Sequence, residues 1–310
     1  MPLLYNRGMK MIIMGSGTSH GVPVIGCNCK VCASSDERDK RSRCSAYLTE
    51  PVSLVIDTGP DFRMQALKFQ IKKLDALLIT HSHADHLNGL DDIRVFSHTK
   101  AVDSALPAEK NIESLPLDIY ANSNTIRDIR NRFDYIFTPV KEGGGKPKVN
   151  LIDTASYSGK NPIVIKGSGG KVTVIPIPLL HGTLNDCGFL LCQDEGGERH
   201  SIAYLTDCSS IAESSIDLIK NNCGRLDHLV IDGLRVKEHS THFSFAQALE
   251  VAEKVLARHT WLTHMTHDLS HKEIQDYIDR ELLPKFEGLC TLVALGGSVA
   301  PAYDGLVIES

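Results

Sequence analysis

A chain of 310 residues, of which 42% are hydrophobic and 23% charged, has the composition of a folded globular protein and is large enough to form a core without disulfides. The net charge of −5 and the lack of a basic stripe disfavour a nucleic-acid partner. The N-terminal apolar run is too short for a membrane span and lacks a signal-peptide pattern, so we expect a cytoplasmic protein without a membrane partner.

Apolar runs rich in β-branched residues alternate with helical patterns along the chain. The runs predict strands at residues 11–14, 54–56, 76–80, 118–120, 172–177, 202–206, 229–231 and 260–263. Helical spacing predicts helices at 62–69, 123–132, 214–222, 244–256 and 270–283, the fourth with Ser244 as its N-cap. Residues 101–116 and 141–148 have the composition of surface loops. This order of elements predicts an α/β protein in one domain, residues 1–310.

Several predicted strands lead directly into a residue that binds metal ions well. These residues are Asp57, His81, His181, Asp207 and His264. Because α/β folds gather functional groups at strand ends, we expect these side chains to meet in one site.

The densest group of potential ligands is the segment T-H-S-H-A-D-H, residues 80–86. Its histidines suit zinc, and its mixture of imidazole and carboxylate also suits manganese and iron. In a turn that leaves a strand, alternate residues can face one pocket while their neighbours serve a second. One short segment can therefore supply two adjacent ions. A surface loop that was merely rich in histidine would not be accompanied by further ligands at distant strand ends.

These motifs resemble the metal-binding signature of a known superfamily. T-H-S-H-A-D-H after an apolar strand, with V-I-D-T-G-P at 55–60, resembles the metallo-β-lactamase superfamily. M-G-S-G-T-S-H-G-V-P-V-I-G-C-N-C-K-V-C, H-S-T-H-F-S and W-L-T-H-M-T-H-D-L resemble the branch with the cyclic phosphodiesterase of the bacterial carbon–phosphorus lyase pathway. The resemblance covers nearly the whole chain and implies an αββα sandwich with its site at one edge of the sheets.

The resemblance also implies a site for two divalent ions, zinc or manganese and possibly iron. The first ion would be held by three histidines: His81, His83 and His181. The second would be held by one carboxylate and two histidines: Asp85, His86 and His264. Asp207 would bridge the two ions, and Asp57 would accept a hydrogen bond from one of the ligands.

Cys27, Cys29 and Cys32 place three thiolates in one short loop. Without a secretion signal, cysteines seldom form a disulfide framework, and a structural zinc site needs four ligands. The resemblance implies His267 as the fourth ligand, with His271 as the alternative. A cluster of free thiols or a redox pair is the competing interpretation.

Two histidines in the segment E-H-S-T-H-F-S are candidates for a general acid. A histidine beside two ions can protonate the oxygen that leaves a phosphoester. The resemblance implies His242 in this role, and His239 is the rival. The candidate catalytic residues are His242 and the two carboxylates named above as metal ligands, Asp85 and Asp207.

The resemblance implies a metal-dependent hydrolase, and we expect a phosphodiesterase that attacks a small or cyclic phosphodiester with a metal-bridging hydroxide. Three alternatives share the fold: a thioester or lactone hydrolase, a tRNA 3′-processing endonuclease and a non-catalytic protein of a cofactor pathway. The endonuclease would need a long basic arm, for which residues 141–148 carry only three lysines. Relatives often form homodimers, and we expect one here.

Overall fold

The structure, a computed structural model, describes residues 8–99, 116–139 and 145–310. The predicted loop at 101–116 lies outside these residues except for Pro116, and so does the first half of the predicted loop at 141–148. In the described part of the chain the strands, in chain order, are β1 Lys10–Gly15, β2 Ser45–Glu50, β3 Leu54–Ile56, β4 Ala76–Leu78, β5 Leu117–Ala121, β6 Val149–Asp153, β7 Ile163–Gly167, β8 Gly170–His181, β9 Leu184–Glu195, β10 Glu198–Leu205, β11 Arg225–Asp232, β12 His259–Thr263, β13 Ser298–Pro301 and β14 Leu306–Glu309. The α-helices are α1 Phe62–Lys68, α2 Ala84–Leu87, α3 Arg94–Thr99, α4 Ser123–Arg132, α5 Asp134–Phe137, α6 Glu213–Asn222, α7 Phe245–Val255, α8 His271–Tyr277 and α9 Glu287–Ala294.

The strands form two seven-stranded sheets, in the orders β14-β1-β2-β3-β4-β5-β6 and β13-β12-β11-β10-β9-β8-β7. In the first sheet β3 to β6 pair in parallel, and in the second β10 to β13 do so. Parallel neighbours end at the same edge of a sheet. The residues that follow β3, β4, β10, β11 and β12 are therefore carried to common edges, where α/β folds build their sites.

Three buried layers of apolar side chains hold the elements together. One lies between the sheets and includes Met11 and Leu191. A second joins the other face of the first sheet to helices, as Leu77 and Phe96 illustrate. The third joins the second sheet to α7 and includes Leu249. This order of helices, sheet, sheet and helices confirms the predicted αββα sandwich.

Most predicted elements are present, with informative differences at their ends. The helix at 123–132 is confirmed as α4, and Ser244 caps α7 in a reciprocal arrangement with Gln247. The predicted helix at 270–283 is present, but only its first half is α-helical, because α8 ends at Tyr277 and a π-helical segment, Ile278–Leu282, follows. No described helix is long and apolar enough to cross a membrane.

The predicted strand at 172–177 is too short, because β8 continues to His181. Prolines at positions 176 and 178 suggest the end of a strand, since proline cannot donate a ladder hydrogen bond. In the structure β7 pairs with β8 only as far as Val174, and beyond it β9 is the one strand of the described chain that pairs with β8. The prolines thus lie where β8 is an edge strand, and such a strand tolerates them.

Candidate metal centre

Three of the strand-end residues have an unusual backbone conformation. Asp57, Asp207 and His264 have φ values of 64°, 53° and 62°. This left-handed region is unfavourable for residues other than glycine, and such strain gathers at functional sites. The chain bends sharply at these three strand ends.

His81, His83 and His181 form the first group of converging side chains. Their ring centroids lie 4.6 to 5.4 Å apart, and one ligand nitrogen of each lies within 4.8 Å of the others. Burial lowers the pKa of His81 well below its usual value and that of His181 to about 4. Neutral imidazoles present lone pairs, so this trio fits a divalent ion such as zinc.

The second group combines two histidines with two carboxylates. His86 Nε2 lies 3.0 Å from Asp207 Oδ2 and 3.3 Å from Asp85 Oδ2. His264 Nε2 lies 3.1 Å from Asp207 Oδ1. Both Nε2 atoms are buried without a hydrogen-bond partner among the described residues.

The donor set of this group fits a metal ion. His86 Nδ1 donates to Asp57 Oδ2 at 2.7 Å, so Nε2 is the ring atom that faces the carboxylates of Asp85 and Asp207. Burial would lower the pKa of His86, but the surrounding aspartates raise it well above its usual value, so this position favours a positive charge. A metal ion supplies that charge when it displaces the proton from Nε2.

Asp207 lies between the two groups. Its carboxylate faces His264 with Oδ1 and His86 with Oδ2, and Oδ2 also accepts from Thr206 Oγ1 at 2.8 Å. Its ligand oxygen also lies within 4.8 Å of nitrogens of His181 and His242. The carboxylate is therefore placed to be shared by ions held in both groups.

A hydrogen-bond chain orients two of the histidines. Thr80 donates to Asp57 through both its backbone N–H and its Oγ1, each at 2.9 Å. Because the single hydroxyl proton of Thr80 goes to the carboxylate, its oxygen accepts from His81 Nδ1, 3.0 Å away. Asp57 thus orients His86 directly and His81 through Thr80, and leaves both Nε2 atoms toward the cluster. His181 is oriented separately, by donating from Nδ1 to Thr241 O at 2.6 Å.

The Thr80→Val variant should bind its active-site metal about 10- to 100-fold more weakly, the usual cost of losing such an orienting partner. Valine keeps the shape of threonine but cannot relay the bond from His81 to Asp57. Competition with a chromophoric chelator measures the affinity. Thr80→Ser keeps the hydroxyl and should bind like the wild type; an equal loss in both variants would contradict this role.

His242, and not His239, stands at the cluster. Its ring centroid lies 4.5 Å from those of both His181 and His264, whereas His239 is exposed. His242 Nδ1 donates to Asp232 Oδ2 at 2.8 Å. Burial raises the pKa of Asp232, and the bond to His242 offsets part of that rise.

The sequence reasoning missed two buried aspartates. Asp232 had a usable signal, because V-I-D-G at 230–233 repeats the strand-end pattern of V-I-D at 55–57. Asp186 lies in β9 with its Oδ1 3.5 Å from His81 Nδ1, and no motif marks it.

The cysteine loop meets His267 at a second, separate cluster. His267 Nδ1 lies 3.5 Å from Cys27 Sγ and 3.4 Å from both Cys29 Sγ and Cys32 Sγ. A zinc tetrahedron with Zn–S of about 2.3 Å and Zn–N of about 2.0–2.1 Å has an S···N edge of roughly 3.5 Å. These distances therefore fit one closed zinc site. The backbone N–H of Cys32 and the ring of His267 lower the pKa of Cys29 to about 6, which favours the thiolate ligand.

His271, the alternative fourth ligand, lies elsewhere. Its backbone N–H donates to Asp39 Oδ1 at 2.6 Å, and its ring Nδ1 lies 3.4 Å from Arg41. Of the two histidines, the structure brings only His267 to the three sulfurs.

The Cys29→Ser variant should contain one equivalent of metal less than the wild type and unfold several degrees lower. The lost ion no longer ties the N-terminal loop to the segment that carries His264 and His267. Elemental analysis and thermal unfolding measure the two effects. Cys290→Ser, at a half-buried cysteine outside the cluster, is the matched control. Unchanged metal content in Cys29→Ser would rule out this zinc site.

Comparisons with known proteins show the family to which this fold belongs. A family model described as the beta-lactamase superfamily domain matches residues 53–265. A new diphosphatase from the PhnP family, known from its crystal structure, is 35% identical in sequence to this chain. The two structures superpose with a TM-score of 0.73, and 97% of both chains is covered. The structure of Zn²⁺-bound PqqB from Methylobacterium extorquens has the same fold, with 18% identity, a TM-score of 0.63 and coverage of 97% of this chain and 100% of that one.

A curated relative extends the comparison to a longer protein. The octanoyltransferase of Porphyromonas gingivalis is 33% identical over 289 residues, which are 92% of this chain and 52% of that protein. This chain therefore spans about half the length of that relative. Because the family model matches more than half of the chain and the diphosphatase matches almost all of it, the protein belongs to the metallo-β-lactamase superfamily, in the branch of the PhnP family.

Proposed function

We propose that this protein is a phosphodiesterase that hydrolyses a small phosphodiester at a pair of divalent ions. The observation that carries the proposal is the position of His242, whose ring lies 4.5 Å from a histidine of each ligand group. A proton donor at this position lies beside the ligands of both proposed ions. The similarity to a PhnP-family diphosphatase supports a phosphoryl substrate.

The proposed ligands divide between the two ions as the sequence predicted. The first ion would be held by three histidines: His81, His83 and His181. The second would be held by one carboxylate and two histidines: Asp85, His86 and His264. Asp207 would be shared between them. Zinc, manganese or iron suits this donor set, and such ions supply a water of lowered pKa and neutralise the charge of a phosphoryl group.

The side chains of the protein provide orientation and a proton. Asp232 accepts the Nδ1–H of His242 and stabilises the protonated ring, so that Nε2–H can be donated to the leaving oxygen as the P–O bond breaks. Asp85 remains 12% exposed and can contact the attacking water as well as hold its ion. Asp57 and Thr80 keep the histidines in place.

Hydrolysis of bis(p-nitrophenyl) phosphate tests the proposal. The purified protein is loaded in turn with zinc, manganese or iron(II), and elemental analysis gives the number of ions bound. We expect turnover that rises with occupancy of the second ion. Failure to hydrolyse any phosphodiester at full metal loading, with all three metals, would refute the proposal.

An acyl ester or thioester is the second candidate substrate. The specific observation is the 33% identity to an octanoyltransferase over 92% of this chain. An octanoyl thioester and bis(p-nitrophenyl) phosphate, assayed side by side on the same metal-loaded protein, separate the two functions. A kcat/KM higher for the thioester would make this second function the correct one.

A further inference from the structure

The C-terminal end of β8, a strand of 12 residues, leaves apolar side chains partly uncovered. Side chains alternate along a strand, and Val174 of β8 packs between the sheets. Pro176, Pro178 and Leu180 follow Val174 at every second position, so their side chains lie on the same face of β8. This face continues toward the edge that carries the metal centre. Pro178 is exposed, and Leu180 is 42% exposed although it is apolar.

A cavity of about 450 Å³ lies against this uncovered face. Its walls include Pro176, Pro178, Leu180 and the ring of Tyr157. Its rim carries polar groups such as Asn122 and the carboxyl group of Asp153. The described lining residues include no lysine, arginine or histidine. The volume is within the range of small-molecule sites, and the walls are apolar and partly flat.

The cavity shares a wall with the metal centre. Leu180 precedes the proposed ligand His181, and its backbone bonds with Ser209 and Ser210, which closely follow Asp207. On another side Asp186 lines the cavity while its Oδ1 lies 3.5 Å from His81 Nδ1. None of the proposed metal ligands lines the cavity itself, and the partly exposed Leu180 stands at the boundary between the two. An ester group of a substrate whose phosphoryl group is at the ions would pass over this side chain to enter the cavity.

We propose that this cavity binds an uncharged, planar ring carried by one ester group of the substrate. The inference rests on the proposed phosphodiesterase function and adds a substrate class to it. A phosphate group does not suit the cavity, since no cationic side chain among its described lining would neutralise the charge. The rings of two prolines and a tyrosine offer flat apolar surfaces against which a planar ring packs.

Two phosphodiesters with the same leaving group test the site. Bis(p-nitrophenyl) phosphate carries a second ring, and methyl p-nitrophenyl phosphate has a methyl group in its place. Ala155 lines the cavity, so Ala155→Trp should fill it. We expect kcat/KM for the two-ring ester to fall roughly tenfold in this variant, mainly through KM, and the methyl ester to change less than about twofold. Tenfold corresponds to about 1.4 kcal/mol.

Ala294→Trp, at an exposed alanine of α9 outside the cavity, is the matched control and should hydrolyse both esters like the wild type. Pro178→Ala removes part of the wall without adding bulk, and it should weaken the two-ring ester selectively as well. Equal losses for both esters, or no loss for either in folded Ala155→Trp, would overturn the ring site.

Binding of the product p-nitrophenyl phosphate measures the ring contact without turnover. Saturation-transfer NMR on the metal-loaded protein should show a Kd roughly tenfold higher in Ala155→Trp and unchanged in Ala294→Trp. An unchanged Kd in Ala155→Trp overturns the ring site. A raised Kd in a protein that hydrolyses neither ester supports the ring site and refutes only the phosphodiesterase function.

Discussion

The Asp207→Asn variant should lose at least roughly 10³-fold in kcat and bind fewer active-site ions than the wild type. Asp207 faces His86 and His264 with its two oxygens and lies beside His181, so its replacement disturbs both ligand groups. Bound metal contributes several kcal/mol of charge stabilisation in a transition state, and about 4 kcal/mol corresponds to roughly 10³ in rate. Turnover of bis(p-nitrophenyl) phosphate and elemental analysis of the same sample measure the two losses.

Asparagine is the appropriate replacement, because Asp207 has a φ of 53° and asparagine tolerates this left-handed conformation better than alanine. The fold should survive, and circular dichroism checks it. Asp194→Ala removes an exposed carboxylate of β9 and serves as the matched control, with activity like that of the wild type. Full metal content together with full turnover in Asp207→Asn would show that Asp207 is not part of the metal centre.

The His242→Ala variant should lose about 10²- to 10⁴-fold in kcat while its metal content stays unchanged, because a general acid contributes on this scale. The loss should be larger for an alkyl ester than for a p-nitrophenyl ester, since nitrophenolate leaves without much help from a proton donor. Rates for the two leaving groups, with elemental analysis of each preparation, measure the effect.

Two variants separate proton donation from mere proximity. His239→Ala removes the exposed neighbour, 5.5 Å away between ring centroids, and should keep turnover within about twofold. Asp232→Asn keeps His242 but removes the charge that stabilises its protonated ring, so it should shift the pH–rate profile as well as lower kcat. A loss in His242→Ala that is identical for good and poor leaving groups would contradict the proton-donor role.

The sequence alone determined the fold class and most of the set of residues that meet at the centre. Alternating strand and helix patterns predicted an α/β protein, because the hydrophobic period is a local property of the chain. The sandwich itself was implied by the resemblance of the motifs to a known superfamily. The segment T-H-S-H-A-D-H placed four candidate ligands together because they are neighbours in the chain. The distant candidate ligands could be predicted from their positions after apolar strands, since parallel strands end at one edge.

Other features depended on the tertiary structure. The resemblance implied His267 rather than His271, but the residues alone left both open because they stand in one short stretch. The position of the cysteine loop brings only His267 to the sulfurs. The pairing of His242 with Asp232 and the cavity beside β8 also depend on how segments distant in sequence pack together. Local patterns specify which side chains a strand or turn presents. Only the packed sheets decide which groups face each other across tens of residues, because those contacts follow from strand order and register.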